Sequence, residues 1–295
     1  MARTGKWKIG RLLVPSVAAI FTSLCATGAS HASQGFNLAD RFNNAIEAVQ
    51  EGIDIIWPGD LDSEHVNARL GFGFGWVPDY VGSDSYRFRV LPIIDFRYKE
   101  VWRLNGSKFT YAAYKNGNFE AGPLLNLHFG RSESNNQFLA GLGDISTTLD
   151  VGAFARIKSK SLLIEADVRQ ALGAGQGMAV RFTAGHGIYQ NGNFAAGAGF
   201  RLRYMSKKGM QTNFGITETQ SANSLYGFAP FEAKAGISEA SVNVIGAYRI
   251  TDKVRLLSLV SVGHLFGSAS TSPLSSGAAG SDLQVIAGTG ITLQF

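Results

Sequence analysis

The sequence predicts an all-β fold: a transmembrane antiparallel up-and-down β-barrel of about 12 strands, within a range of about 10–14. Three observations carry this. From residue 66 on, apolar residues recur at every second position, the period of a strand. The alternate, polar face holds charges of both signs in mid-strand, which a dry sandwich core would not accept unpaired. The runs span about 9–14 residues, longer than the roughly five or six usual in soluble sheets. That length suits a tilted membrane strand, which needs roughly 9–11.

Composition excludes several other classes. Of 295 residues, 45% are hydrophobic and only 17% charged, against about 25% charged in an average chain. That is too apolar for a disordered chain. A single Cys excludes a disulfide scaffold and a Cys-ligated zinc module. Only residues 12–28 approach the roughly 18 apolar residues of a membrane-crossing helix, so a polytopic helical membrane protein is excluded.

Residues 1–32 read as a secretory signal peptide. Arg3, Lys6, Lys8 and Arg11 form a basic start, Leu12 to Cys25 an apolar stretch, and Ser30-His31-Ala32 a small-residue exit. Cleavage is expected after Ala32. Cys25 follows Leu24, whereas a lipoprotein signal wants a small residue there. Of the 27 basic residues, four lie in this segment, and none of the 22 acidic ones do, which leaves a net charge of +1 after cleavage. The pI of 9.3 thus belongs mostly to the signal, and basicity gives no ground for a nucleic-acid partner.

Residues 33–65 follow a different pattern. Leu38, Phe42, Ala45, Ile46, Val49, Ile53 and Ile56 keep a helical period, Asn37 is placed to cap it, and Gly52 and Pro58 limit it. The segment is either a short periplasmic or luminal helix before the first strand, or a mobile linker.

The barrel is assigned to residues 66–295. Strands are expected at about 66–76, 86–98, 101–114, 118–130, 147–157, 161–171, 178–189, 193–205, 228–237, 240–251, 253–266 and 283–295. In the second, Phe88, Val90, Pro92, Ile94, Phe96 and Tyr98 share the lipid face, while Arg87, Arg89, Asp95, Arg97 and Lys99 share the other. The same alternation places Glu120, Asp150, Arg156, Glu165, Asp167, Arg169, Arg201 and Arg203 in the lumen. Trp76, Tyr80, Tyr86, Tyr98, Trp102, Tyr114, Tyr189, Tyr204 and Tyr248 fall near strand ends, where aromatic girdles belong.

Asn116-Gly117, Asn191-Gly192 and Thr251-Asp252-Lys253 are short turns, and longer Gly/Ser/Asn stretches lie at 131–146, 206–227 and 267–282. With both termini in the periplasm, this strand order turns 77–85 and 267–282 outward and 131–146 and 206–227 toward the periplasm. Barrels keep periplasmic turns short. Either the order is wrong by a pair of strands, or the two long segments form a periplasmic docking surface.

The chain ends in Thr289-Gly290-Ile291-Thr292-Leu293-Gln294-Phe295. This resembles the terminal signature read by the barrel assembly machinery of bacterial outer membranes, with Gly290, Leu293 and Phe295 at the matching positions. Together with the signal peptide it places the protein in a Gram-negative outer membrane, surrounded by lipid.

Pro78-Asp79-Tyr80-Val81-Gly82-Ser83-Asp84-Ser85-Tyr86-Arg87, with Pro92 five residues on, resembles the MipA/OmpV family of outer-membrane proteins, also called MltA-interacting proteins. Gly143-Asp144, Val168-Arg169-Gln170-Ala171-Leu172-Gly173, Phe214-Gly215-Ile216-Thr217 with Gln220-Ser221, and Leu265-Phe266-Gly267-Ser268 followed by Ser272-Pro273-Leu274 extend the likeness over about 66–295. The chain departs at Gly173-Ala174-Gly175-Gln176-Gly177, where the family more often has Gly-His-x-Gly, and at Ser268, where it tends to have Asp. The resemblance implies a non-enzymatic scaffold. It would dock periplasmic peptidoglycan-remodelling enzymes: a lytic transglycosylase and a penicillin-binding murein synthase. Other members are described as porin-like or adhesive, so a small-solute channel and a surface adhesin are the alternatives.

The motifs carry little chemistry of their own. Asp79 and Asp84 suit a carboxylate pair or a cation site or, more simply, side chains that bond the local backbone of a turn. Glu165, Asp167 and Arg169 suit a relay or selectivity ring or, more simply, luminal ion pairs. His65, His128, His186 and His264 sit beside no evident Ser or Asp motif, so no catalytic residue, metal ligand or cofactor is assigned. Gly71, Gly73 and Gly75 alternate within a strand and open no phosphate loop.

Overall fold

A computed structural model describes Glu47, Glu51, Gly52, Ile55, Ile56 and residues 66–295. The expected signal peptide, its cleavage site and most of the 33–65 segment lie outside the described residues. The strand segments are β1 (Asn67–Pro78), β2 (Tyr86–Tyr98), β3 (Trp102–Asn105), β4 (Lys108–Tyr111), β5 (Tyr114–Asn116), β6 (Phe119–His128) and β7 (Thr148–Ser159). They continue with β8 (Leu162–Ala171), β9 (Met178–Asn191), β10 (Phe194–Met205), β11 (Gly236–Arg249), β12 (Val254–Leu265) and β13 (Leu283–Gln294). Neighbours in the chain pair antiparallel, β1 pairs β13, and β4 reaches across to β6. The sheet is therefore closed, as hydrocarbon requires of a spanning structure.

β4 and β5 are one strand interrupted at Ala112–Ala113, so the barrel has twelve. Thr110 pairs Leu124 and Tyr114 pairs Ala121, which leaves one extra residue on the β4–β5 side, a bulge. Gly122 is required opposite it, because a Cβ there would overlap the carbonyl oxygen of Tyr111.

The count of twelve agrees with the sequence, yet two strands differ. The expected strand 101–114 is a hairpin, β3 and β4, turning at Gly106 with φ 57°. The expected strand 228–237 is instead mostly loop, with a single isolated β-bridge, Phe231–Ile216, among the described residues, and β11 begins at Gly236.

These two changes reverse the sidedness of the middle of the chain. Segments 79–85, 129–147, 172–177, 206–235 and 266–282 all emerge at one end, with the tight 106–107 turn. The short turns 99–101, 117–118, 160–161, 192–193 and 250–253 share the other end with the start of β1 and Phe295. Short turns and both termini mark the periplasmic end of such barrels. The 131–146 and 206–227 segments thus lie at the same end as 77–85 and 267–282, and the expected placing of the two pairs on opposite sides is overturned.

Outward positions are apolar and exposed: Leu70, Phe72, Phe74 and Trp76 on β1, and Val242, Val244 and Tyr248 on β11. Trp76, Tyr86 and Tyr204 stand toward the loop end, and Trp102, Tyr114, Tyr189 and Tyr248 toward the turn end. Trp102 stacks on Tyr111 at 4.2 Å. Tyr80 is no part of a girdle; it is buried under the loops.

Candidate functional site

The lumen is built by the inward half of each strand, and its wall has two characters. On β2–β4 and β6–β10 it is charged. On β10–β13, β1 and β2 it carries an apolar cluster of Val77, Ile93, Ala195, Ile245, Ala247, Leu257, Leu259 and Ile286, flanked by buried polar side chains such as Asn243, Arg255 and Gln284.

The charged wall is a chain of ion pairs set by register. Buried Asp95 meets Arg97 Nη2 at 3.1 Å, Arg103 Nε at 3.5 Å and Arg69 Nη1 at 3.7 Å. Arg156 stands directly opposite Glu165 and donates to it through Nε at 2.6 Å, and Lys108 Nζ donates to the same carboxylate at 2.9 Å. Arg169 and Asp167, two apart on β8, form a two-pronged pair at 2.7 and 3.0 Å. Asp150 accepts from Asn126 Nδ2 at 3.1 Å and lies 3.3 Å from His128 Nδ1. Glu120 is half-buried, 3.5 Å from Arg156, and Arg89 is half-buried on the same face of β2. Arg201 and Arg203 are buried on β10.

The segment before β1 fills the space between the walls. Glu47, Glu51, Gly52, Ile55 and Ile56 are helical and buried. Glu47 Oε2 accepts from Arg181 Nη1 at 3.2 Å and lies 3.5 Å from Arg169 Nη2. Glu51 accepts from Lys108 Nζ at 3.0 Å and Arg201 Nη2 at 2.9 Å. Ile56 joins the apolar cluster. Glycines make the room: a Cβ on Gly185 would overlap Ile55, one on Gly197 would come within 2.8 Å of Ile56, and one on Gly52 would overlap Ile245. Glu47 contacts β8 and β9 residues near the loop end, and Ile56 abuts β10 near the turn end.

Sequence reasoning missed Glu47, Glu51, Lys108, Arg69, Arg103 and Arg181. Arg69 and Arg181 lay open to the alternation rule in their strands. Lys108 was hidden by the merged 101–114 strand.

The loops close the other mouth. Tyr80, Leu139, Leu142, Ile216 and Leu274 come from four different loops and pack as one cluster. A second cluster joins Met210 and Phe214 of α1 (Lys207–Phe214) to Met205, Ala233, Leu265 and Ala269. α2 (Glu218–Asn223) begins with a capping box between Thr217 and Gln220, and Gln220 Nε2 donates to Leu142 O at 2.7 Å.

The Pro78–Arg87 motif latches this cap. Asp79 pairs with Arg87 and accepts from Asn136 Nδ2 at 2.9 Å. Tyr80 donates to Ala279 O at 2.7 Å, and burial pushes its phenol pKa up. Gly82 takes φ +100° against Ser275, and its N–H donates to Gln284 Oε1 at 3.1 Å. Ser83 is buried and bridges Gly280, Asp84 is exposed beside Ser85, and Tyr86 OH accepts from Val285 N at 3.1 Å. Asp79 and Asp84 therefore act as turn and latch residues, and no metal-holding cluster occurs among the described residues.

Strand pairing brings the described histidines to partners that the sequence did not reveal. His186 Nε2 lies 3.4 Å from Ser161 Oγ, and His264 lies 3.9 Å from Asp282, both pairs exposed. At the turn end a cavity of about 50 Å³ is lined by Arg97, Arg103, Lys115, Arg156 and Lys158 together with Glu100 and Glu120, over Ala112, Phe154 and Leu163. The terminal strand seals the barrel: Phe295 N donates to Ala68 O at 2.9 Å, Leu293 points outward, and Gly290 packs against Phe72 O.

The family described as MltA-interacting protein MipA matches residues 70–295. This chain belongs to the MipA family. It matches no curated protein. Among solved structures, this chain is similar to the NanC porin, at 9% identity and TM-score 0.40, covering 77% of this chain and 98% of that one. An outer membrane channel from Pseudomonas putida F1 gives 12% identity and TM-score 0.41 over 81% and 100% of the two chains. The translocator domain of the autotransporter NalP from Neisseria meningitidis gives 10% and 0.40 over 87% and 95%. This MipA-family protein is an outer-membrane β-barrel.

Proposed function

We propose that this barrel is a scaffold that docks periplasmic peptidoglycan-remodelling enzymes, a lytic transglycosylase and a penicillin-binding murein synthase, and catalyses no reaction itself. The observation that carries the reading is the filled lumen: ion pairs, the described residues Glu47, Glu51, Ile55 and Ile56, and the loop cap occupy the barrel interior and leave its surfaces for a partner. The family description supports the partner class. The docking face is the turn end, because that end faces the periplasm under the general rule for such barrels.

Three companion assignments belong to the same proposal. Residues 1–32 are removed after Ala32, which N-terminal sequencing of the mature protein checks. Gly290, Leu293 and Phe295 are read by the barrel assembly machinery. The luminal charges hold the barrel shut while Glu47 and Glu51 sit among them. The deciding experiment is in-cell photocrosslinking from 99–101, 117–118, 160–161 and 250–253, with captured proteins identified by mass spectrometry. Capture of either enzyme class is expected. Silent turns with a correctly assembled barrel would overturn the docking reading.

A further inference from the structure

We infer that Glu47, Glu51, Gly52, Ile55 and Ile56 belong to a displaceable plug, and that the wall they cover is a carboxylate-binding, anion-selective path. This stands apart from the docking reading and does not need it.

The wall supplies the cations. Lys108, Arg169, Arg181 and Arg201 come from four separate strands and converge on Glu47 and Glu51 at 2.9–3.8 Å. Among the described residues, ten Arg and Lys side chains are buried against six Asp and Glu, and two of those six belong to the plug. Withdrawing the plug takes two carboxylates away from Lys108, Arg169, Arg181 and Arg201 and so makes this part of the wall more positive, and a cationic constriction favours anions. Glu47 and Glu51 occupy the wall as a bound dicarboxylate would, with charge-assisted hydrogen bonds to each carboxylate.

The seat is shaped for a helix and not welded to it. Gly185 and Gly197 clear space for Ile55 and Ile56 that any side chain would fill. The polar half of the seat is made of ion pairs, which water and soluble anions can replace; the apolar half rests on few plug residues. A short acidic solute, such as a di- or tricarboxylate, matches the chemistry of the polar half.

The test is conductance of the full protein in planar bilayers, with heat-modifiable migration as the fold control. Glu47→Gln/Glu51→Gln is expected to open roughly tenfold or more often than the parent, since the plug loses its charge-assisted bonds. Its reversal potential in a KCl gradient should lie on the chloride side, and citrate should block it. Gly52→Cys/Ile245→Cys supplies a lock. A Cβ on Gly52 would lie 3.2 Å from the Ile245 Cβ, close to the roughly 3.5–4.5 Å of a disulfide. The oxidised lock should silence openings, and reductant should restore them. The inference is overturned if the folded double Gln variant opens no more than the parent or prefers cations. It is also overturned if the lock forms and changes nothing. Should the double Gln variant fail to fold, the lock in the parent decides: reduction must raise openings over the oxidised form.

Discussion

Replacing Glu165 by Gln measures how dry the lumen is. The carboxylate is buried between Arg156, which donates at 2.6 Å, and Lys108, which donates at 2.9 Å. Gln keeps the shape but removes the charge and turns an amide N–H₂ toward two cations. Breaking a buried ion pair by removing one partner costs about 3–5 kcal/mol, because the other charge stays buried. Here Glu51 lies 3.0 Å from Lys108 and Glu120 lies 3.5 Å from Arg156, so part of the loss is offset. The expected cost is therefore at the low end, about 3 kcal/mol, or roughly a hundredfold in the unfolding equilibrium. Denaturant unfolding of the refolded barrel in detergent, followed by tryptophan fluorescence and gel migration, reads it. Adding Lys108→Met should recover part of the loss, because one stranded cation is then gone. A cost below about 1 kcal/mol is what a water-exposed pair gives. That result would mean a wet, open lumen and would refute the filled-barrel account.

Three further outcomes follow from the same geometry. Gly185→Val should destabilise by roughly 1–3 kcal/mol through overpacking against Ile55, although Val suits a strand better than Gly; unchanged unfolding would place Ile55 elsewhere. Tyr80→Phe should cost about 1 kcal/mol by deleting the bond to Ala279 O, read as faster protease nicking within 266–282. The raised phenol pKa of Tyr80 also sets a pH dependence: above about pH 10 the unfolded chain loses this proton while the folded cap keeps it, so cap stability falls as pH rises. Protease nicking between pH 8 and 11 should show that rise in the parent and a weaker one in Tyr80→Phe.

The sequence revealed the barrel because two solvents act on alternate residues. Along β8, Leu162, Ile164, Ala166 and Val168 face lipid, while Glu165, Asp167 and Arg169 face inward, and a period of two survives ten residues. β3 and β4 have four residues each, two per face, too few for a period to be seen. Asn105-Gly106 was the available signal for their turn. The false strand at 228–237 alternates as convincingly as a real one, but Ala233 is buried and Phe231 half-buried by the loop cap. The two errors cancelled in the count and showed only as long loops on the wrong side. Glu47 and Glu51 escaped notice for a different reason. Acidic residues on the polar face of an amphipathic helix ordinarily face water, and only the closed wall of Lys108, Arg169, Arg181 and Arg201 makes them interior. Tyr80 lay near a strand end like the girdle aromatics. Its long-range partner, Ala279, is nearly two hundred residues away and invisible to any local rule.

Orientation in the membrane decides which face meets the periplasm, and single-cysteine labelling measures it. The one native cysteine is Cys25, outside residues 66–295, so Ser134→Cys, Ala222→Cys, Asn118→Cys and Lys160→Cys each report a single barrel site. An impermeant maleimide applied to intact cells should label Ser134→Cys and Ala222→Cys at the loop end. It should reach Asn118→Cys and Lys160→Cys at the turn end only after the outer membrane is permeabilised. Labelling of the turn-end pair in intact cells, with the loop-end pair protected, would contradict the account and move any docking surface to the loop cap.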